Sequence, residues 1–364
     1  MRTSLLVFRN RRRARPEEAP SRLDKLPAMQ NTKIFWLALL TMLLSVCGLS
    51  CNKKDSSGGG QGAPADKAAS SVLSLAYSSV GDPNPWFTTF AANMEKEAKK
   101  RGHKFTVVHA QAKIEKQLAD VEDLVAQKPD ILILGPIDVK GSAACLGVAK
   151  EAGIPVVVVN RDIAGTPGQD YVTRLYSDFE WVGAKQAELI HRALGDQPIK
   201  VVELHGTPGG GNTLGLSKGF REQMKKYPNM QIVASQLGDY SRATALKSME
   251  NIVQSMGGKF NAVFGHSDEE GVAAIQALKA AGQKVGDGKN GSVVVVSNAG
   301  LKDALQAVKA GELYATVTVS PYYAGQVLDA AEKVKRKEKL PDYIRVDDFV
   351  IDAQNVAQHE AFGY

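Results

Sequence analysis

Cysteine is scarce in this chain of 364 residues, which holds only Cys47, Cys51 and Cys145. Two of the three lie near the N-terminus, so no internal disulfide framework is expected. Cys145 sits in an Ala/Gly-rich helical stretch and reads as a small buried hydrophobe. The six histidines show neither i, i+4 pairing nor Cys/His spacing, so neither a metal nor another cofactor is expected. A Gly-x-Ser-x-Gly elbow is also lacking. The glycine-rich run TPGGGNT (207–213) has no Gly-Lys-Ser/Thr ending and reads as a flexible cleft loop rather than a phosphate loop. An excess of one charge is missing too, once the N-terminus is set aside. Residues 1–50 carry nine Lys/Arg and three Asp/Glu, the whole formal +6, which leaves 36 of each sign in the rest. A neutral body argues against a surface that tracks phosphates, so no nucleic-acid partner is expected. The basic run KVKRKEK (333–339) ends a helix and reads as a solvated last turn favoured by the helix dipole.

What is present begins with a leader. The apolar run IFWLALLTMLLSV (34–46) has 13 residues behind Lys33, short for a bilayer span and the right length for a signal-peptide core. Either Met29 is the start or residues 1–28 extend a basic n-region. The following CGLSCNKKDSSGGGQGAPADKAASS resembles a bacterial lipoprotein signal, which implies an acylated cysteine and anchoring to a membrane. Cys51 is the better acceptor, with Ser50 before it and a polar tether behind. Gly48 stands where such signals usually carry Leu, and Cys47, with Leu44 and Ser45 in register but Val46 adjoining it, is the alternative. An ordinary cleaved signal and a membrane helix remain as competing readings.

From residue 72 onward buried-type strands alternate with amphipathic helices. VLSLAYSSV, KFTVVHA, DILILGP and IPVVVVN are strands, separated by helices such as FTTFAANMEKEAKKRG and EKQLADVEDLVAQ, giving βαβαβαβ. The pattern restarts after YVTRLYS (171–177) with WVGAKQAELIHRAL, KVVELHG and their successors, and a late strand VDDFVID closes the chain. This predicts an α/β protein of two doubly wound parallel-sheet lobes joined by a hinge with three crossovers. The expected division is signal peptide over 1–50, tether over 51–71, a first lobe from 72–177 plus 320–346, and a second from 178–319 plus 347–364. Ligands in open α/β sheets bind outside the carboxyl ends of the strands, so the cleft between lobes is the expected site.

Polar and aromatic residues gather at those strand ends: GDPNPWF (81–87), GPID (135–138), NRD (160–162), HGTPGGGN (205–212), GDYSR (238–242), GHSDEE (265–270) and SNAG (297–300). Asn, Asp and Gly there also serve as N-caps and turn formers in any α/β fold, and Asp162 need be no more than a cap. Arg161 is neither cap nor turn residue and is costly at a buried strand end unless paired. Its fork of donors suits vicinal hydroxyls or a carboxylate. Trp86 either stacks on the C–H face of a sugar ring or packs into the core at the start of the first helix; Tyr240 could supply the opposite wall.

The order NPWF, NRD, VVELHG, the KGF of SKGF, GDYSR, H-S-D before EEGVAAIQALKAAG, and SPYYAG resembles the periplasmic sugar-binding proteins of ABC importers, type I, in their ribose- and galactofuranose-binding branch. The resemblance covers about residues 72–364. It implies two lobes that close on one monosaccharide and present it to a membrane permease; a monomer is expected, and no enzyme, since the cleft residues offer no nucleophile or acid/base pair. Residue by residue, it implies ligand contacts from Asn84, Trp86 and Phe87, from Asn160 and Arg161, from Ser177 between the lobes, from Tyr240, and from Ser267 and Asp268. Four positions depart from the pattern. The family's Asp before Arg161 is Asn160, an expected arginine near 216 is Leu216, an Asn is Ser267, and an Asp is Ala299. Asn212, Thr213, His266 and Asn298 are nearby candidates for ligand contacts. A site with fewer charged groups implies a ligand with fewer hydroxyls on that side, or one held by other residues. The same clam could instead serve a chemoreceptor or sensor kinase as its ligand-binding subunit.

Overall fold

The computed structural model describes residues 72–81 and 84–364. The expected signal peptide and tether, with the candidate lipid acceptor Cys51 and its alternative Cys47, lie outside the described residues.

The chain builds β1 (Ser74–Ser79), α1 (Pro85–Lys100), β2 (Lys104–His109), α2 (Ile114–Ala126), β3 (Ile131–Leu134), α3 (Ala143–Glu151), β4 (Val156–Val159) and β5 (Thr173–Tyr176). It continues through α4 (Phe179–Leu194), β6 (Ile199–His205), α5 (Gly211–Met224), β7 (Met230–Leu237), α6 (Arg242–Met256), β8 (Ala262–Gly265) and α7 (Asp268–Ala280). Then follow β9 (Val294–Ala299), α8 (Lys302–Lys309), β10 (Ala315–Thr318), α9 (Ala324–Lys335), β11 (Tyr343–Arg345) and β12 (Val350–Asp352). Two six-stranded sheets result, in the orders β11-β5-β4-β3-β1-β2 and β12-β10-β9-β8-β6-β7. The first is wholly parallel; in the second only β12 runs antiparallel to its neighbour. β3 and β4 are buried on both faces, which is why they read as unbroken ILIL and VVVV.

The chain passes between the sheets after β5, after β10 and between β11 and β12. Asp348 knits the last two passages: its Oδ1 accepts from Thr318 Oγ1 at 3.3 Å and from the N–H of Ser320 at 3.1 Å. Val346 N–H donates to Tyr176 O at 2.8 Å and brings in the first passage. Burial pushes the Asp348 carboxyl up to about 6. α9 returns to the first lobe, where Asp329 and Glu332 take Arg101 of α1.

Helices α4 and α5 approach backbone to backbone. A Cβ at Gly219 would lie 1.9 Å from Glu180 O, and one at Gly183 2.2 Å from Leu216 O. Only hydrogen side chains permit that contact, and it sets the N-terminus of α5 against the cleft.

Three sequence readings need correction. VDDFVID (346–352) is strand only at its end, where β12 starts at Val350 and pairs in the second sheet; β11, ahead of the run at Tyr343–Arg345, pairs in the first. Strands of three residues carry too little periodicity to separate by eye. The run TPGGGNT is not wholly a loop, since α5 begins at Gly211 and takes in Asn212 and Thr213. Asp162 is no helix cap: it forms an ion pair with Arg174 at 2.6 Å and bonds the N–H of Ile163.

Candidate ligand-binding cleft

The strands of both lobes end at a common cavity. From the first lobe it is lined by Asn84, Trp86, Phe87, Asn160 and Arg161; from the second by Asn212, Tyr240, His266, Ser267, Asn298 and Ala299; and from the crossovers by Phe179 and Val319.

Asn84 is both cap and wall. Its Oδ1 accepts the N–H of Trp86 at 2.9 Å, capping α1, and its amide remains for the cavity. The Trp86 indole stacks on Phe90 at 5.0 Å, and its Nε1 donates to Val319 O at 2.9 Å, so core packing fixes the ring that lines the cleft. The two readings of Trp86 are therefore not exclusive.

Asn160 ends β4 in the left-handed region, φ +67°, a conformation asparagine tolerates better than most residues. That turn throws Arg161 into the cleft, where it is 4% exposed. The guanidinium lies 5.2 Å from the Phe87 ring and 5.7 Å from the Tyr240 ring, between one aromatic from each lobe. Nη1 donates to Ile137 O at 2.9 Å, whereas Nε is buried without a partner. Burial lowers its affinity for the proton.

Tyr240 fits because Gly206 has no side chain: a Cβ there would stand 2.0 Å from the tyrosine ring. Its hydroxyl meets Thr213 Oγ1 at 2.8 Å, and its backbone N–H donates to Glu270 Oε1 at 2.9 Å. Burial raises the Glu270 carboxyl to about 8 and keeps it protonated at neutral pH.

His266 is held from behind. Its Nε2 lies 3.2 Å from Glu203 Oε1, and Glu203 also accepts Arg221 at 2.7 and 3.0 Å, Ser235 at 2.7 Å and Ser217 at 3.1 Å. These donors hold the Glu203 carboxyl far below the usual carboxylate range in spite of its burial. Because a carboxylate only accepts, Nε2 carries the proton. Burial lowers the imidazole's own pKa, so the ring is neutral and Nδ1 is a bare acceptor, without a protein partner. Glu203 was legible in VVELH as a carboxylate inside an apolar strand, a signal that the sequence reading passed over.

Asn298 donates its amide to His266 O at 2.9 Å. Five buried polar atoms of the lining lack protein partners: Asn160 Oδ1, Arg161 Nε, Asn212 Oδ1, His266 Nδ1 and Ser267 Oγ. Natively folded proteins leave few such atoms unpaired, and five around one cavity are the pattern of a polar ligand's contacts.

Three residues from the sequence reading stand elsewhere. Asp268 is fully buried, accepting from Ser297 Oγ at 2.5 Å, Thr316 Oγ1 at 2.7 Å and the N–H groups of Gly300 and Leu301 at 2.6 and 2.8 Å; it clamps the turn after β9 and does not line the cavity. Ser177 is buried at the first crossover, also outside the lining. Leu216 packs in the core under α5, so of the four departures only Asn160, Ser267 and Ala299 face the cleft. Phe179 and Val319 were missed, being apolar residues that only the crossovers bring to the site.

Comparison with known proteins agrees with this architecture. Residues 75–338 match the family described as periplasmic binding protein domain. The galactofuranose-binding protein YtfQ of Escherichia coli is 30% identical over 295 residues, covering 80% of this chain and 92% of the relative. The ribose import binding protein RbsB of Bacillus subtilis is 33% identical over 258 residues, covering 71% and 80%. Among solved structures, a galactofuranose binding protein superposes with a TM-score of 0.75 at 30% identity, covering 80% of this chain and 100% of that one. The periplasmic binding protein component of an arabinose ABC transporter from Shewanella sp. ANA-3, bound to L-arabinofuranose, gives 0.74 at 32% identity over 79% and 94%. With its two lobes, its inter-lobe cleft and a family match across most of its length, this chain belongs to the periplasmic binding proteins of the ribose- and galactofuranose-binding branch.

Proposed function

We propose that this protein captures a sugar-like molecule outside the cytoplasm and delivers it to an ABC importer, binding and releasing it unchanged. The observation that carries the reading is the cavity itself: aromatic walls from Trp86, Phe87 and Tyr240 around five buried polar atoms that lack protein partners. Sugar-binding relatives in ABC import support the same reading. Contacts come from Asn84, Trp86, Phe87, Asn160, Arg161, Asn212, Tyr240, His266, Ser267 and Asn298, while Ser177 and Asp268 act as supports. Ligand bridging the lobes favours the closed state by its greater affinity for it. The protein acts as a monomer.

Anchoring is the second part of the proposal. Acylation of Cys51 would hold the body at a membrane through the 51–71 tether, next to the permease. Mass spectrometry of the protein purified from a bacterial envelope should find a lipid on Cys51, and Cys51→Ala should release the protein into the soluble fraction.

Capture is tested by titrating the full chain, purified from the envelope in detergent, with aldoses, polyols, cyclitols and sugar acids while following calorimetric heat and thermal shift. A ligand of micromolar affinity is expected, about −8 kcal/mol. Arg161→Ala should abolish its binding while the unliganded protein melts as before. No heat from any of these compounds would refute sugar capture.

A further inference from the structure

The cleft lining contains a charge that no ion pair among the described residues meets. Arg161 is the one charged side chain among the lining residues described, and it is 4% exposed. Its neighbour Asn160 is neutral. Asp138 and Asp239 are the carboxylates whose field reaches it, but neither forms an ion pair with it. Their hydrogen bonds run to neutral donors instead: Asp239 Oδ1 takes Thr207 Oγ1 at 2.8 Å, and Asp138 Oδ1 takes the N–H groups of Lys140 and Gly141 at 2.8 and 2.5 Å. Glu270 behind Tyr240 is protonated at neutral pH and supplies no charge. His266 is neutral as well, because burial outweighs the opposing pull of the Glu203 carboxylate, which fixes only its tautomer. A buried cation of this kind ordinarily has a partner, because dehydration without one is expensive.

The geometry of the guanidinium says where a partner goes. Its side-chain hydrogen bond to Ile137 O uses Nη1, and Nε has no partner, so the Nε–Nη2 edge with its two parallel N–H groups is uncommitted among the described residues. That edge matches the two oxygens of a carboxylate. The guanidinium also lies within 5.2 Å of the Phe87 ring and 5.7 Å of the Tyr240 ring, aromatic surfaces that cannot supply its missing acceptor.

We infer that the cleft takes an anionic sugar, a monosaccharide-sized aldonate or uronate whose carboxylate lies on the Nε–Nη2 edge of Arg161. The inference rests on the reading of the cleft as a sugar site. The hydroxyls of such a molecule meet the remaining uncommitted groups. His266 Nδ1 accepts from one hydroxyl, and Asn160, Asn212 and Ser267 offer amide and hydroxyl groups that can donate or accept. With the carboxylate bound, the net charge of the lining and its ligand is zero.

Matched pairs test the assignment on the full chain in detergent: D-galacturonate against D-galactose, D-glucuronate against D-glucose, and D-ribonate against D-ribose, each titrated by calorimetry. At least one acid should bind about tenfold or more tightly than its neutral partner, a difference of about 1.4 kcal/mol. Arg161→Gln should bring that ratio close to one. Asn160→Asp supplies the counter-charge within the protein and should also lower the ratio by about tenfold; it carries the test should Arg161→Gln fail to fold. If neutral sugars bind as tightly as the acids or more so in every pair, the carboxylate assignment is overturned and sugar capture stands. If no acid, aldose or polyol binds, both readings fall.

Discussion

The backbone N–H of Val139 in the first lobe donates to the carbonyl of Gly209 in the second at 3.3 Å, across the mouth of the cleft. Next to it Gly211 packs on the backbone of Asp162: a Cβ on that glycine would meet Asp162 N at 2.6 Å. The lobes thus touch main chain to main chain at Gly209 and Gly211, and at Gly211 the contact leaves no room for a side chain.

Gly211→Ala should therefore act on closure rather than folding. Overpacking a tight contact costs about 1–3 kcal/mol, felt only when the lobes meet. Ligand affinity should fall roughly tenfold or more, with small-angle scattering of the liganded protein shifted towards an open form. An unchanged dissociation constant would show that the seam is looser than its geometry.

Gly219→Ala should do the reverse and destabilise the second lobe outright. The new methyl would stand 1.9 Å from Glu180 O, a rigid backbone atom, so α4 and α5 must separate. A loss of about 1–3 kcal/mol is expected, seen as a lower urea midpoint with an unchanged slope.

The Arg221–Glu203–His266 chain predicts acid sensitivity. Glu203 titrates lower in the folded state than in the unfolded one, so its contribution is present above the ordinary glutamate range and is lost as pH falls through and below about 4. Arg221→Ala, removing two charge-assisted bonds from a buried carboxylate, should cost about 1.5–3 kcal/mol per bond at most and weaken the dependence of the urea midpoint between pH 5 and pH 3. An unaltered profile would place the acid sensitivity in other groups.

Glu270 and Asp348 work in the opposite direction. Their carboxyls are raised, to about 8 and about 6, so between the ordinary carboxylate range and those values the folded state holds more protons than the unfolded. Stability should consequently decline as pH rises, over roughly pH 4 to 6 for Asp348 and on to pH 8 for Glu270. Glu270→Gln, isosteric and uncharged, should be more stable than the parent at pH 9 by more than about 1 kcal/mol and should remove the upper part of the slope. Thermal melts from pH 5 to pH 9 provide the check.

The alternation of strands and helices was legible because parallel strands buried on two faces must be continuous apolar runs, as VVVV and ILIL are. Their polar endings marked the cleft for the same reason: burial stops where the sheet does. Arg161 stood out as a cation directly after four valines. By contrast Asp268 was misplaced, since a carboxylate at a strand end looks the same whether it faces a ligand or clamps the turn of Gly300 and Leu301. Phe179 and Val319 were invisible, being apolar side chains that the crossovers bring to the site from positions 140 residues apart in sequence.

By itself the sequence determined the two lobes and the line of residues at which each sheet ends, because hydrophobic periodicity and strand-end polarity are local properties. Which strand ends share one cavity, and which polar groups there are already satisfied, was decided by the tertiary structure alone. Pairing depends on atoms distant in the chain. Ser297 and Thr316 take Asp268 out of the cleft, Glu203 fixes the tautomer of His266, and Phe87 and Tyr240 enclose an arginine that no carboxylate of the described lining neutralises.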